Sequence, residues 1–413
     1  MHTMHERWIR RSALCATVAM FAVMGPAAVA SNADPTTDGA VTANALRDVL
    51  LVGNSVQGTV SFLDGHTFKN LGSVNIIPDL QERLAGMNLV EATGYNVVKQ
   101  QEGGDRFVDD VFVSPDGRTL YISRGNLDDA IAFDIASKTI SWRFKLDGFK
   151  ADHAALSPDG RRFVVSATTA QEAQVLDTSN GTLVGNFATG AYPHQNDYSA
   201  NGQHIYNSSI GVTTLPKALD ALKGAKQLTV VDANTLQVIR TYQFPEGVRP
   251  SVFTADEKTM YTQLSYLNGF VEFDLVAGQV TRTVQMPFSA TGSALNPDSY
   301  PQNSAHHGLA MSGDGTKLCD VGTIDDYTAI IARPALTTDG FVNYPTDALP
   351  YWATTSVDGT RCLVSLSKLD AISVIDYATA TEVARIPVGT FPQRERLGKV
   401  PANVLSTLSP ASR

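Results

Sequence analysis

Ser114-Pro115-Asp116-Gly117-Arg118-Thr119-Leu120-Tyr121-Ile122-Ser123 reads as a tight turn followed by a half-buried strand. The phrase returns as Ser157-Pro158-Asp159-Gly160. Weaker copies follow: Ser199-Ala200-Asn201-Gly202, Thr254-Ala255-Asp256-Glu257, Ser312-Gly313-Asp314-Gly315 and Ser356-Val357-Asp358-Gly359. Their last residues are 43, 42, 55, 58 and 44 positions apart. A unit of that length holding four short strands is one propeller blade. A second phrase, an apolar residue and Asp before a turn, marks the far end of other strands. It occurs at Leu63-Asp64, Phe133-Asp134, Leu176-Asp177, Val231-Asp232, Phe273-Asp274 and Ile375-Asp376. An Asp there accepts backbone N–H bonds and closes a hairpin. No helical period runs through the units, which excludes a helical solenoid.

The spacing predicts an all-β, seven-bladed β-propeller over residues 48–399. Blades 2 to 7 span about 106–148, 150–190, 191–247, 248–287, 304–348 and 349–389. The piece at 48–76 supplies only three strands and has no Ser-Pro-Asp-Gly lead-in. The chain restarts a blade at Phe391-Pro392-Gln393-Arg394 and then stops. The economical closure is a C-terminal strand that completes the first blade and removes a free sheet edge. These phrases resemble the YVTN-type repeat propellers of secreted bacterial proteins. The resemblance implies the fold, and it implies a range of roles from binding proteins to lactonase-like enzymes.

Composition agrees with a folded, exported chain. Of 413 residues, 43% are apolar and 18% charged, too apolar for disorder. Asp plus Glu number 41 against 32 Lys plus Arg, so no nucleic-acid surface is advertised. Arg7, Arg10 and Arg11, the apolar run Ser12 to Met24, and Ala28-Val29-Ala30 read as a signal peptide over 1–30. Residues 31–47 then form an N-terminal extension and 400–413 a tail. The expected location is secreted or periplasmic, with no membrane span and a monomeric chain. No C-x-x-C-H haem site and no phosphate-cradling loop is present, so neither haem nor nucleotide is expected. Beyond the leader only Cys319 and Cys362 remain. They occupy second strands of adjacent blades and are one residue out of phase, the arrangement two facing sheets need for a disulfide.

Blade topology puts the long insertions 77–105, 209–225 and 288–303 on one face. Long loops on a rigid scaffold carry function. The first should contain a helix from Leu80 to Ala92. The inner strands begin on that same face, at Asp109, Asp152, His194, Arg249, His307, Tyr351 and Gln393. The next residues along are Asp110, His153, Gln195, Pro250, Gly308, Trp352 and Arg394. Three readings stay open. His153, His194 and His307 can converge on a copper, zinc or iron ion. Alternatively, His and Asp form a polar plug with ordered water. In the third, a small-molecule or peptide ligand sits in the mouth against Asp109, Asp110, Arg249, Tyr351, Trp352, Gln393 and Arg394. The leading expectation is a binding or scaffold protein. The enzyme alternative is a metal-dependent, copper-type oxidoreductase or a lactonase-like hydrolase. A one-residue slip in register would turn any of these side chains away.

Overall fold

The computed structural model describes residues 44–410, so the expected leader over 1–30 lies outside the described residues. Seven four-stranded antiparallel sheets follow one another as blades. Blade 1 is built from Leu46–Asn54, Thr59–Asp64 and Asn70–Asn75. Its innermost strand is Pro392–Pro401, paired with Leu46–Asn54 in the register Leu50 to Leu397. The inner strands of blades 2 to 7 are Asp110–Val113, Ala151–Leu156, Pro193–Tyr198, Val248–Phe253, Leu309–Met311 and Pro350–Thr355. The fold is therefore the seven-bladed propeller that the repeat predicts, closed by the chain's own C-terminal strand.

Two boundaries differ from expectation. Pairing runs from Leu46 through Pro401, and the segment beyond is a packed element instead of a tail. The short helix Ala402–Leu405 buries Val404 and Leu405 in the core between blades 1 and 2. Ser409 then bridges to Ser73 on the outer strand of blade 1. The expected helix over 80–92 is two helices, Leu80–Ala85 and Leu89–Gln101. Asn88 separates them. Its side chain accepts the N–H groups of Val90 and Glu91, while Glu91 bonds back to the Asn88 N–H. This reciprocal cap starts a new helix in the middle of the apolar pattern.

The repeated turn is explained by its contacts. Ser157 Oγ bonds Asp159 at 2.6 Å and accepts from the N–H groups of Arg161 and Arg162. Gly160 has φ +72°, and a Cβ there would lie 2.3 Å from Pro115 of the preceding blade. The turn thus needs glycine for both backbone and packing. Blade 5 breaks the rule with Glu257 at φ 55°. That carboxylate takes the Tyr206 hydroxyl at 2.5 Å and lies 2.6 Å from His204 Nδ1 in blade 4, contacts that offset the strained backbone.

Facing sheets bury the apolar alternation. Tyr121 stacks on Trp142 and meets Phe163 of the next blade, and Trp142 Nε1 donates to the Thr178 carbonyl. Cys319 and Cys362 are joined by a disulfide between blades 6 and 7, with Cα atoms 6.4 Å apart and both residues fully buried. It closes a separation of 43 residues, worth about 4 kcal/mol in the chain-entropy treatment. The Cys319→Ala, Cys362→Ala double variant should lose roughly 2–4 kcal/mol in urea unfolding. Unfolding midpoints equal to wild type would contradict a structural role for the bond.

Candidate functional site

The head of the inner strand is irregular in a repeated way in blades 1, 3, 4, 5 and 7. In blade 3 Ala151 pairs with Ala167 and Ala154 with Val165, so Asp152 and His153 oppose Ser166 alone. In blade 4 the pairs Pro193–Ser209 and Asn196–Asn207 leave His194 and Gln195 opposite one residue. Arg249-Pro250 and Tyr351-Trp352 sit in the same bulge of blades 5 and 7. Gln393 is the extra residue of the closing strand. A bulge takes residues out of strict alternation and re-aims their side chains. Adjacent residues can then both reach the axis.

Three imidazoles meet there. The His153 and His194 rings are 3.9 Å apart between centroids, His194 and His307 5.3 Å, and His153 and His307 6.1 Å. Each offers a ring nitrogen within 4.8 Å of the others, and Asp109 and Asp152 form a second group of that kind with His153. His307 Nδ1 donates to the Tyr351 carbonyl at 3.2 Å, which leaves Nε2 as a lone pair 3.4 Å from His194 Nε2. Both nitrogens of His153 and Nδ1 of His194 are buried without a hydrogen-bond partner. Burial pushes all three rings well below the usual histidine range. Arg394 adds to this at His153, Arg249 at His194, and His194 at His307. The rings are therefore neutral, the form that binds metal. Burial and then Asp152 push the Asp109 carboxyl well above the ordinary range.

The other expected residues divide. Tyr351 stacks on His307 at 4.0 Å, and Trp352 stands edge-on to His153 at 5.3 Å. Arg394 lies over Trp352, 3.6 Å from Asp109. Arg249 is buried, bonding Ser265 Oγ and the Gln302 carbonyl. Asp110 belongs elsewhere: both its oxygens take Arg396, at 2.9 and 2.7 Å, so it ties blade 2 to the closing strand and leaves the imidazoles alone. His306 turns away from its neighbour His307, with Nδ1 3.0 Å from Asp320 Oδ2 in its own blade. Sequence reading missed Arg106, Glu102 and Lys150. Lys150 lies 2.8 Å from Glu102 and 3.1 Å from Asp152. Arg106 and Glu102 fall outside the two repeated phrases, and only their place beside a long insertion marks them.

The site is not an open mouth. All three insertions meet over it through Gln302, whose side chain donates to the Gln101 carbonyl and accepts from Thr213 Oγ1. Asp298 also accepts the Lys217 N–H, joining the second and third insertions. On the opposite face a cavity of about 410 Å³ enters the channel, with Gln195, Asp197, Tyr198, Trp352 and Arg396 in its wall.

No protein-family model matches the chain, and no curated protein matches it. Among solved structures, the hydrazine synthase of Kuenenia stuttgartiensis is similar over 69% of this chain and 88% of its own, at TM-score 0.55 and 16% identity. At that identity the likeness speaks for the propeller fold.

Burial pushes the Asp197 carboxyl up to about 7, with Arg396 pulling it back. An unfolded Asp ionises near pH 4, about 3.9. Between about pH 4 and 7 the folded chain therefore holds a proton that the unfolded chain has released, so stability falls as pH rises. Asp197→Asn should lose less stability than wild type across that window in urea titrations. Parallel pH profiles for the two proteins would refute the assignment.

Proposed function

We propose that this chain is an exported β-propeller that binds one transition metal ion in its central channel through His153, His194 and His307. The observation that carries the reading is three buried imidazoles, each with a ring nitrogen within 4.8 Å of the others, among which both His153 nitrogens and His194 Nδ1 have no hydrogen-bond partner. A polar plug would satisfy those nitrogens internally, and buried polar atoms left unpaired call for an ion, a ligand or water. Three nitrogen donors suit zinc, copper or iron. The His307 contact to a backbone carbonyl is the usual support for a metal-binding imidazole. Asp152 supplies negative charge toward Arg249. The disulfide and the leader-like N-terminus support an exported location.

Protein purified without a polyhistidine tag should carry near-stoichiometric copper, zinc or iron by mass spectrometry. The His194→Ala, His307→Ala double variant should lose it by more than about tenfold, since even indirect partners of a metal ligand matter that much. Metal-free wild type after growth with all three metals would defeat the reading. A second reading as a metal-dependent oxidoreductase or lactonase-like hydrolase is favoured by the cavity behind Trp352, which is large enough for a small substrate. Metal-dependent turnover of a lactone or of an oxidisable substrate, absent from the double variant, would establish it. Its absence across both substrate classes would leave a binding protein.

A further inference from the structure

A second cavity, of about 450 Å³, lies on the insertion-bearing face between the first and third insertions and blades 7 and 1. Tyr300, Tyr351 and Phe391 give it aromatic walls, and Arg106, Lys368 and Gln393 give it polar ones. None of the three imidazoles lines it.

Among the described residues, Arg106 and Arg249 are buried arginines with no carboxylate partner, and of the two only Arg106 lines this cavity. Arg106 is 6% exposed, and its two terminal nitrogens donate only to the backbone carbonyls of Asp105 and Glu102. Its guanidinium carbon lies over Phe391, 4.0 Å from the ring centre. Among the described residues no carboxylate forms an ion pair with it. Other buried arginines of the chain are clamped by carboxylates. Arg124 is clamped by Asp129 and Asp79, and Arg396 by both oxygens of Asp110. A buried guanidinium stays charged and calls for an anion. The one acid in the cavity wall, Glu102, is held by Lys150. Lys368 is held by Asp347.

A second group also lacks a partner. Gln393 is 4% exposed, and its Oε1 accepts no hydrogen bond. A side-chain amide oxygen placed so asks for an N–H or O–H donor.

We infer that this cavity binds a small aromatic carboxylate that also carries a hydroxyl or amino donor. Its carboxylate meets Arg106, its ring packs among Tyr300, Tyr351 and Phe391, and its donor meets Gln393 Oε1. The inference does not depend on the proposed metal. Tyr351 nevertheless joins the two sites, because its ring walls the cavity while its stacking and its carbonyl hold His307.

The test is calorimetric titration of the full-length protein with 4-hydroxybenzoate, benzoate and phenol, with metal content measured on every sample. Saturable binding of 4-hydroxybenzoate is expected, with phenol at least about tenfold weaker for want of the charge-assisted bond. Arg106→Met should weaken 4-hydroxybenzoate by a similar factor. Ser299→Trp, at an exposed rim position, should fill the cavity and remove binding without depending on how Arg106 contributes to folding. Both variants should keep the metal content of wild type, which separates failure here from failure of the metal reading. No saturable binding of either carboxylate would overturn the inference. So would phenol binding as tightly as 4-hydroxybenzoate, or affinity unchanged in both variants.

Discussion

The bulge repeated at the head of the inner strands of blades 1, 3, 4, 5 and 7 is the constraint on which the centre of this molecule depends. A regular strand would send alternate side chains to opposite faces of its blade, and only one residue of each adjacent pair could serve the axis. The bulge frees two. Blade 3 can therefore offer Asp152 and His153 together, and blade 7 can place Tyr351 above Trp352 against neighbouring imidazoles. Closure by Pro392–Pro401 extends the pattern to blade 1, where Gln393 and Arg394 take the equivalent places. The polar centre is thus a property of the closed ring, since no single blade supplies more than a fragment of it.

Around that centre the wedges are apolar and the insertions are tied together. Tyr121, Trp142 and Phe163 pack one interface, and the Cys319–Cys362 bond fixes another. Burying neutral imidazoles among arginines and carboxylates is expensive unless the unpaired atoms find partners. The rigid disc supplies the stability against which that cost is set. Gln302 links all three insertions over one end of the channel, while Trp352 and Arg396 stand at the cavity of the other end. The two ends therefore present different chemistry: one an aromatic cavity with the buried Arg106 guanidinium, the other a cavity walled by Asp197, Trp352 and Arg396.

Much of this was legible in the chain. The Ser-Pro-Asp-Gly phrase sets both the blade length and the turn, because its serine and aspartate make the local bonds and its glycine fits under the preceding blade. The missing fourth strand near residue 48 implied closure from the C-terminus. The grouping of His153, His194 and His307 followed from counting back from each turn. The count did not tell which of two adjacent residues faces inward, because the bulge is not written in a local motif. Asp110 pairs in regular register with Ser123 and was misplaced for a different reason, a partner far away in the chain. It has the same composition as Asp109 and a similar place in the strand, yet Arg396, more than 280 positions away, claims it. The split of the first insertion at Asn88, and the roles of Arg106 and Glu102, depend on tertiary contacts outside the repeat.

Diffraction at the absorption edge of whatever metal the purified protein carries examines the centre most directly. The account predicts a single anomalous peak within bonding distance of nitrogens from His153, His194 and His307. A metal-replete crystal with its peak elsewhere, or with the three rings bonded only to ordered water, would contradict it.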